Sequence, residues 1–187
     1  MSQTAAPFGL RPSYHPSGTL RPEASTILTG YASNLLQYQP VKIVPAATGE
    51  GTLAAAAVGD RIMGTFMGVE WTDTDGRRRV SNKWTGNTPG TDIVAYFTMD
   101  PNIVYEMQSN APLNQIDVGK QFMFTPASGS VVTGLSSQAL DVASAAANAT
   151  FRFLGITPGP DNAYGDPFVI ARVQISQHQN VADIAAF

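Results

Sequence analysis

Cysteine is absent from the 187-residue chain. That excludes disulfides, thiolate metal sites and a cysteine nucleophile. Histidine occurs only twice, as His15 in a proline-rich segment and His178 near the C-terminus. Neither has a His-x-x-x-His neighbour, and neither position suggests the rigid pocket that a general base or zinc ligand needs. Charged residues make up 13% of the chain, with a net charge of −3. This is about half the usual charged share, and it gives no basic face for nucleic acid. The one basic run, Arg77-Arg78-Arg79, follows Asp73-Thr74-Asp75-Gly76. It reads as the solvated flank of a hairpin, with contact to an acidic partner surface as the alternative. No window approaches 18 apolar residues, so no membrane helix is expected. The opening MSQTAAPFGL has no basic stretch followed by a long apolar run. No secretion signal is therefore expected, and the reading is of a soluble protein made inside the cell. Neither Gly-x-Ser-x-Gly nor a phosphate-binding Gly-x-x-x-x-Gly-Lys-Ser/Thr loop occurs.

What the chain does have is apolar mass and punctuation. Hydrophobic residues reach 43%, with 17 glycines and 13 prolines. Pro7, Pro12, Pro16 and Pro22 fall within the first 24 residues. Each fixes φ, removes a donor and pushes its predecessor toward extended geometry. Residues 1–24 therefore read as an extended arm, able to reach on the order of 70 Å at roughly 3.1 Å per residue. Phe8, Leu10, Tyr14 and Leu20 alternate with proline and glycine in it, so they are not expected to bury in one local core.

Residues 25–187 read as a single β domain. ASTILTGY, QPVKIV, TDIVAYFTMD, NIVYEMQ, KQFMFTP, TFRFLGITP and PFVIARVQISQ are short apolar runs bounded by turn residues. In DRIMGTFMGVEWTD, strict alternation puts Ile62, Gly64, Phe66 and Gly68 on one face and Met63, Thr65, Met67 and Val69 on the other. Asp75-Gly76 then predicts a hairpin through a type I′ turn. In the last run, Val169, Ala171, Val173 and Ile175 share one face. GLSSQALDVASAAANAT and GTLAAAAVGD suit either a helix or a strand. Val58-Gly59-Asp60-Arg61-Ile62-Met63 and Val118-Gly119-Lys120-Gln121-Phe122-Met123 look like one turn-into-strand solution used twice. Eight or nine such strands predict an all-β fold, a small β-barrel or barrel-like sandwich with an extended N-terminal arm.

Motifs that carry chemistry are few. DTDG opens like a calcium loop, but the twelfth position from Asp73 is Trp84 instead of a carboxylate. Asp161, Asn162 and Asp166 suit a cation or, equally, an Asx turn. No metal, cofactor or catalytic residue is assigned. Trp71 and Trp84 flank the hairpin, as a sugar-stacking platform or as core and interface residues. Contact surface is better represented. Phe8, Tyr14, Trp71, Trp84 and Tyr164 lie in apparent arm, turn or loop, and VADIAAF ends the chain on Phe187. Both ends are expected to need covering, as in a protein that completes its burial in an assembly.

Gly9-Leu10-Arg11-Pro12 within FGLRPSYHPSG, then ILTGYASNLLQYQPVKIV, GDRIMGTFMGVEW, DPNIVYEMQ from Asp100 and FRFLGITPGPDN at 151–162 carry a resemblance. Together they resemble the head decoration, or cement, proteins of tailed bacteriophages. The resemblance implies a non-enzymatic virion protein, made in the host cytoplasm and placed on the outer capsid surface at junctions between capsomers, commonly as a homotrimer. Its implied partner is the major capsid protein, with no direct nucleic acid and no membrane. The arm would dock on the shell through Phe8, Leu10, Tyr14 and Leu20, with Arg11 and Arg21 pairing with acidic groups. Trp71, Trp84 and Phe187 would be further partner contacts. The alternative is a glycan-binding or host-adhesion β module using the two tryptophans, and a third class is a hydrolase whose site is assembled in space around His15 or His178.

Overall fold

The computed structural model describes residues 4–46 and 51–184. In chain order the strands are β1 (Arg11–Tyr14), β2 (Pro22–Ser25), β3 (Leu35–Leu36), β4 (Pro40–Val44), β5 (Thr52–Ala55), β6 (Gly64–Thr72), β7 (Arg78–Ser81) and β8 (Lys83–Trp84). They continue as β9 (Thr91–Thr98), β10 (Val104–Gln108), β11 (Gln121–Phe124), β12 (Gly129–Ser130), β13 (Leu135–Ser136), β14 (Leu140–Ala146), β15 (Phe151–Ile156) and β16 (Ile170–Ile175). The fold is all-β, with antiparallel sheets packed as a sandwich and no closed barrel among the described residues. One large sheet runs β1-β10-β16-β15-β11-β14, and the other runs β2-β9-β6-β4-β5, with β7 also on β6. Both helix-or-strand ambiguities resolve as strand, in β5 and in β13–β14.

Each large sheet has its own core. On the first, Val169, Ala171, Val173 and Ile175 are fully buried with Phe122, Phe124, Phe151 and Phe153. On the second, Phe66, Val69, Ala95 and Phe97 pack with Val41, Leu53 and Trp84. The alternation expected along β6 does not hold. Its register slips between Phe66 and Gly68 against β9. This bulge shifts the phase by one residue, so Phe66, Val69 and Trp71 all reach the same core. Ile62 and Met63 are neighbours in sequence but belong to different cores, so the chain crosses the joint between the sheets there.

The β6–β7 hairpin also differs from expectation. Gly76 N–H bonds to Asp73 O at 2.9 Å, and Asp73 N–H to Arg77 O at 2.9 Å. Only Gly76 in this loop has a positive φ, of 77°. A type I turn followed by a left-handed glycine fits this, and a type I′ turn, which needs two positive φ values, does not. The sequence echo has a common geometry. Asp60 N–H bonds to Ala57 O and Lys120 N–H to Asp117 O, each at 3.1 Å, with φ of 87° at Gly59 and 91° at Gly119. Val118, at φ −60° and ψ 129°, completes a type II turn, whose third residue favours glycine. Each turn delivers a buried apolar residue, Ile62 or Phe122, to the same core.

Candidate interaction surface along the N-terminal strap

The proline-rich start does not stand away from the body. β1 pairs with β10 and β2 with β9, so the segment lays an outer edge strand on each large sheet. Pro12 and Pro22 are tolerated because edge strands have an N–H side that need not bond. The expectation of a free arm is corrected by this pairing, and most clearly by Leu10. Gly9, at φ 79°, lets the chain turn inward where a Cβ would lie 2.4 Å from Tyr38 O. Leu10 N–H then bonds to Tyr38 O at 2.7 Å, and the Leu10 side chain is fully buried in the first core. It is therefore not a docking residue in this conformation.

Arg11 is also engaged. Its guanidinium lies 4.6 Å from the centre of the half-buried Phe8 ring and pairs with Glu106 at 2.5 Å. Ser13 Oγ and Thr157 Oγ1 donate to the same carboxylate at 3.1 and 3.2 Å. Burial pushes the Glu106 carboxyl up, but Arg11 and the two hydroxyls outweigh it and hold the group below its ordinary value.

Between β1 and β2 the strap turns a corner beside the β9–β10 turn. Gly18 N–H bonds to His15 O at 2.8 Å, with Pro16 at the second position of the turn. His15 Nε2 lies 3.0 Å from Asp100 Oδ2, and its Nδ1 lies 2.6 Å from Ser17 Oγ. A cleft of about 360 Å³ opens here, lined among others by His15, Ser17, Arg21, Asp100 and Asn180. Hydroxyl, imidazole and carboxylate in that order are the elements of a serine nucleophile. Here Nδ1 also accepts the Ser17 N–H, at 3.0 Å. The next two N–H groups, of Gly18 and Thr19, point at His15 O and Ser17 Oγ, so this turn aims no N–H pair at a developing oxyanion. What the geometry accomplishes is to pin the strap's corner.

Tyr14 and Leu20 do face solvent, at 57% and 38% exposure, and Leu28 just beyond β2 at 56%. Arg21 is exposed. Outside the strap, the tryptophan platform is corrected. Trp84 is fully buried and meets the half-buried Trp71 edge to face, with ring centres 5.8 Å apart at 82°. It cannot stack on a sugar or touch a partner without unfolding its core. Phe187 lies outside the described residues. Arg78 pairs with Glu70, and Arg79 with Asp73 and Asp75, so the basic run is neutralised within its own hairpin. Asn162 holds its loop by bonding Thr157 O and both backbone groups of Ile170.

Several exposed apolar residues escaped the sequence reading, among them Val80, Ile116 and the β12–β13 tip. At the β12–β13 tip, Val132 is 92% exposed, with Val131 and Leu135 near 40%. Lys83 Nζ donates to Val131 O, and Asn82 Nδ2 to Thr133 O at 3.1 Å, which holds the tip against the second sheet. The only signal was two adjacent valines beside a Thr-Gly turn. No protein-family model, curated protein or solved structure matches this chain, so the surface is read from its own geometry.

Proposed function

We propose that this chain is a non-enzymatic structural protein of a virion. It binds the outer surface of a capsid shell and clamps neighbouring major capsid subunits, as a homotrimer. The observation that carries this reading is the strap, which presents Tyr14 on β1 and Leu20 and the exposed Arg21 just before β2. Strap pairing has already ordered this backbone, so docking need not spend the roughly 1–2 kcal/mol per residue that ordering a free arm costs. Burying an apolar side chain fully is worth about 1.5–3 kcal/mol, and the part-exposed Tyr14 and Leu20 each supply a fraction of that. Three linked copies convert such modest contacts into strong attachment through effective concentration. The low charged content suits surfaces that face other protein.

The test is co-sedimentation with capsids lacking the protein, comparing the wild type with Tyr14→Ala/Leu20→Ala/Arg21→Glu. Attachment should fall at least tenfold for the triple variant while its melting temperature stays close to wild type. Equal attachment would remove the strap as the docking surface, and no attachment by the wild type would remove the function.

A further inference from the structure

After β16 the chain runs into the joint between the two cores. Ile62 N–H bonds to Gln177 O at 3.1 Å, and Gln179 N–H to Ile62 O at 3.0 Å. The Gln179 side-chain amide closes on both backbone groups of Ile43 in β4, accepting at 2.7 Å and donating at 2.9 Å. Arg61 donates to His178 O at 3.2 Å and pairs with Asp183 at 2.7 Å. Residues 177–184 thus form a clasp that ties the end of a first-sheet strand to the second sheet, at the point where Ile62 and Met63 enter separate cores.

His178 lies at the centre of the clasp and is fully buried. Its Nδ1 accepts the Asn180 N–H at 3.1 Å. A ring that accepts at Nδ1 carries its proton on Nε2 when neutral, and that buried Nε2–H makes no hydrogen bond of good geometry, with the Met99 and Met63 carbonyls as its neighbours. Of the charged groups, the Asp100 carboxylate in the β9–β10 turn acts on the ring, while Arg61, just before β6, binds the His178 carbonyl and pairs with Asp183 of the clasp. Asp60 is paired with Lys42 at 2.6 Å, and Asp100 with His15. Burial pulls the His178 pKa below its ordinary value, against the Met99 and Met63 carbonyls and the Asp100 carboxylate, which favour the charged ring.

We propose that His178 is a proton-sensitive latch, in which protonation of Nδ1 opens the 177–184 clasp and loosens the joint between the sheets while each core stays folded. The step takes one proton from solvent and breaks only hydrogen bonds. A protonated Nδ1 is a donor, so it can no longer accept the Asn180 N–H, and two N–H groups then face each other in a buried joint. The closed clasp cannot relieve that conflict. The open clasp can, because the ring reaches water.

The test is hydrogen exchange read by mass spectrometry on the full chain from pH 7.5 to 5.0, corrected for intrinsic rates. Peptides covering 60–64 and 176–184 should lose protection by up to about tenfold per pH unit below roughly 6.5, the ordinary histidine value. Peptides covering β15 should not. In His178→Asn, the amide oxygen stands near the place of Nδ1 and accepts the Asn180 N–H without titrating, so protection there should be flat over the same range. As a second measurement, the His178 ring of the wild type should titrate below 6.5 by NMR. Three outcomes would overturn the latch: flat protection in the wild type, an unchanged pH response in His178→Asn, or a ring that titrates at or above 6.5.

Discussion

The Arg11 guanidinium reaches the Glu106 carboxylate across the β1–β10 pair, where Arg11 and Glu106 are register partners. Glu106 is only 8% exposed, so Arg11 is what lets a carboxylate sit under an edge strand. Arg11→Ala leaves Ser13 and Thr157 as its remaining donors. The expected loss is about 1–2 kcal/mol, read as a lower urea midpoint at pH 7. The sign with pH follows from the depressed Glu106 value. Its contribution is fully present above the unfolded carboxyl range, near 4.3, and is lost as pH falls through the folded value. The urea midpoint of the wild type should therefore drop between pH 5 and pH 3, and Arg11→Ala should flatten that drop.

Removing the strap should damage the fold. Leu10 is fully buried, and β1 and β2 cover the outer edges of β10 and β9. Leu10→Ala is expected to cost about 2–5 kcal/mol. Deletion of residues 1–24 should lower the thermal midpoint sharply, because it takes away Leu10, leaves Glu106 without Arg11 and bares both sheet edges. Tyr14→Ala, at an exposed position, should shift stability by no more than about 0.5 kcal/mol. Circular dichroism melts of the three variants check this ordering, and a truncated protein that melts like the wild type would restore the free arm.

Much of this architecture was legible, and the failures share a cause. From Val169 through β16 the alternation of Val169, Ala171, Val173 and Ile175 is local, and all four are buried. Gly59 and Gly119 were legible too, because a type II turn is a four-residue event. The pairing of the strap is not legible, because proline tells that a segment cannot be a central strand, which leaves both a free arm and an edge strand open. What decides between them is distant: Tyr38 O accepts from Leu10, and β10 supplies the partner strand. The Phe66–Gly68 bulge was hidden likewise, since it exists only relative to β9. Of the proposed docking residues, the exposure of Tyr14, Leu20 and Arg21 agrees with the polar or broken sequence around them, and Trp84 fails because its burial depends on Leu35, its partner across β3–β8.

Trp84 offers a sharp test of core against surface. Its ring is fully buried against Trp71. Trp84→Ala is expected to cost about 3–5 kcal/mol, and Trp84→Phe less, since an aromatic partner for Trp71 is kept. Intrinsic fluorescence during urea unfolding would read this, with Trp71 as the remaining reporter. If Trp84→Ala left stability unchanged while abolishing binding to a glycan array, the platform reading would return.

Gly59 isolates backbone conformation from packing. Its φ is 87°, yet a Cβ there would meet nothing within 4 Å. Gly59→Ala should therefore cost about 1–2 kcal/mol, the penalty of a left-handed conformation for an L-residue. Gly59→Asn should cost less, because asparagine visits that region more readily. Melting temperatures of the two variants would decide it, and an Ala variant as stable as the wild type would mean that the turn can change type without strain.

If the chain is the capsid clamp proposed above, its contacts must bridge two subunits. Exposed apolar groups occur on different elements, among them Tyr14 and Leu20 on the strap and Val132 at the β12–β13 tip. Two contacts on one capsid subunit hold nothing together, whereas contacts on two subunits resist their parting. If the strap and the tip engage different subunits, Tyr14→Ala/Leu20→Ala and Val132→Asp should each weaken attachment, and the combined variant should lose more than either alone by the factor that linkage supplied. Particles carrying either variant should then release DNA at lower temperature or milder osmotic shock than wild-type particles, even where the variant protein still binds. If the strap variant lowers occupancy but the particles that remain decorated keep their DNA as well as the wild type, the protein adheres to the shell without bracing it.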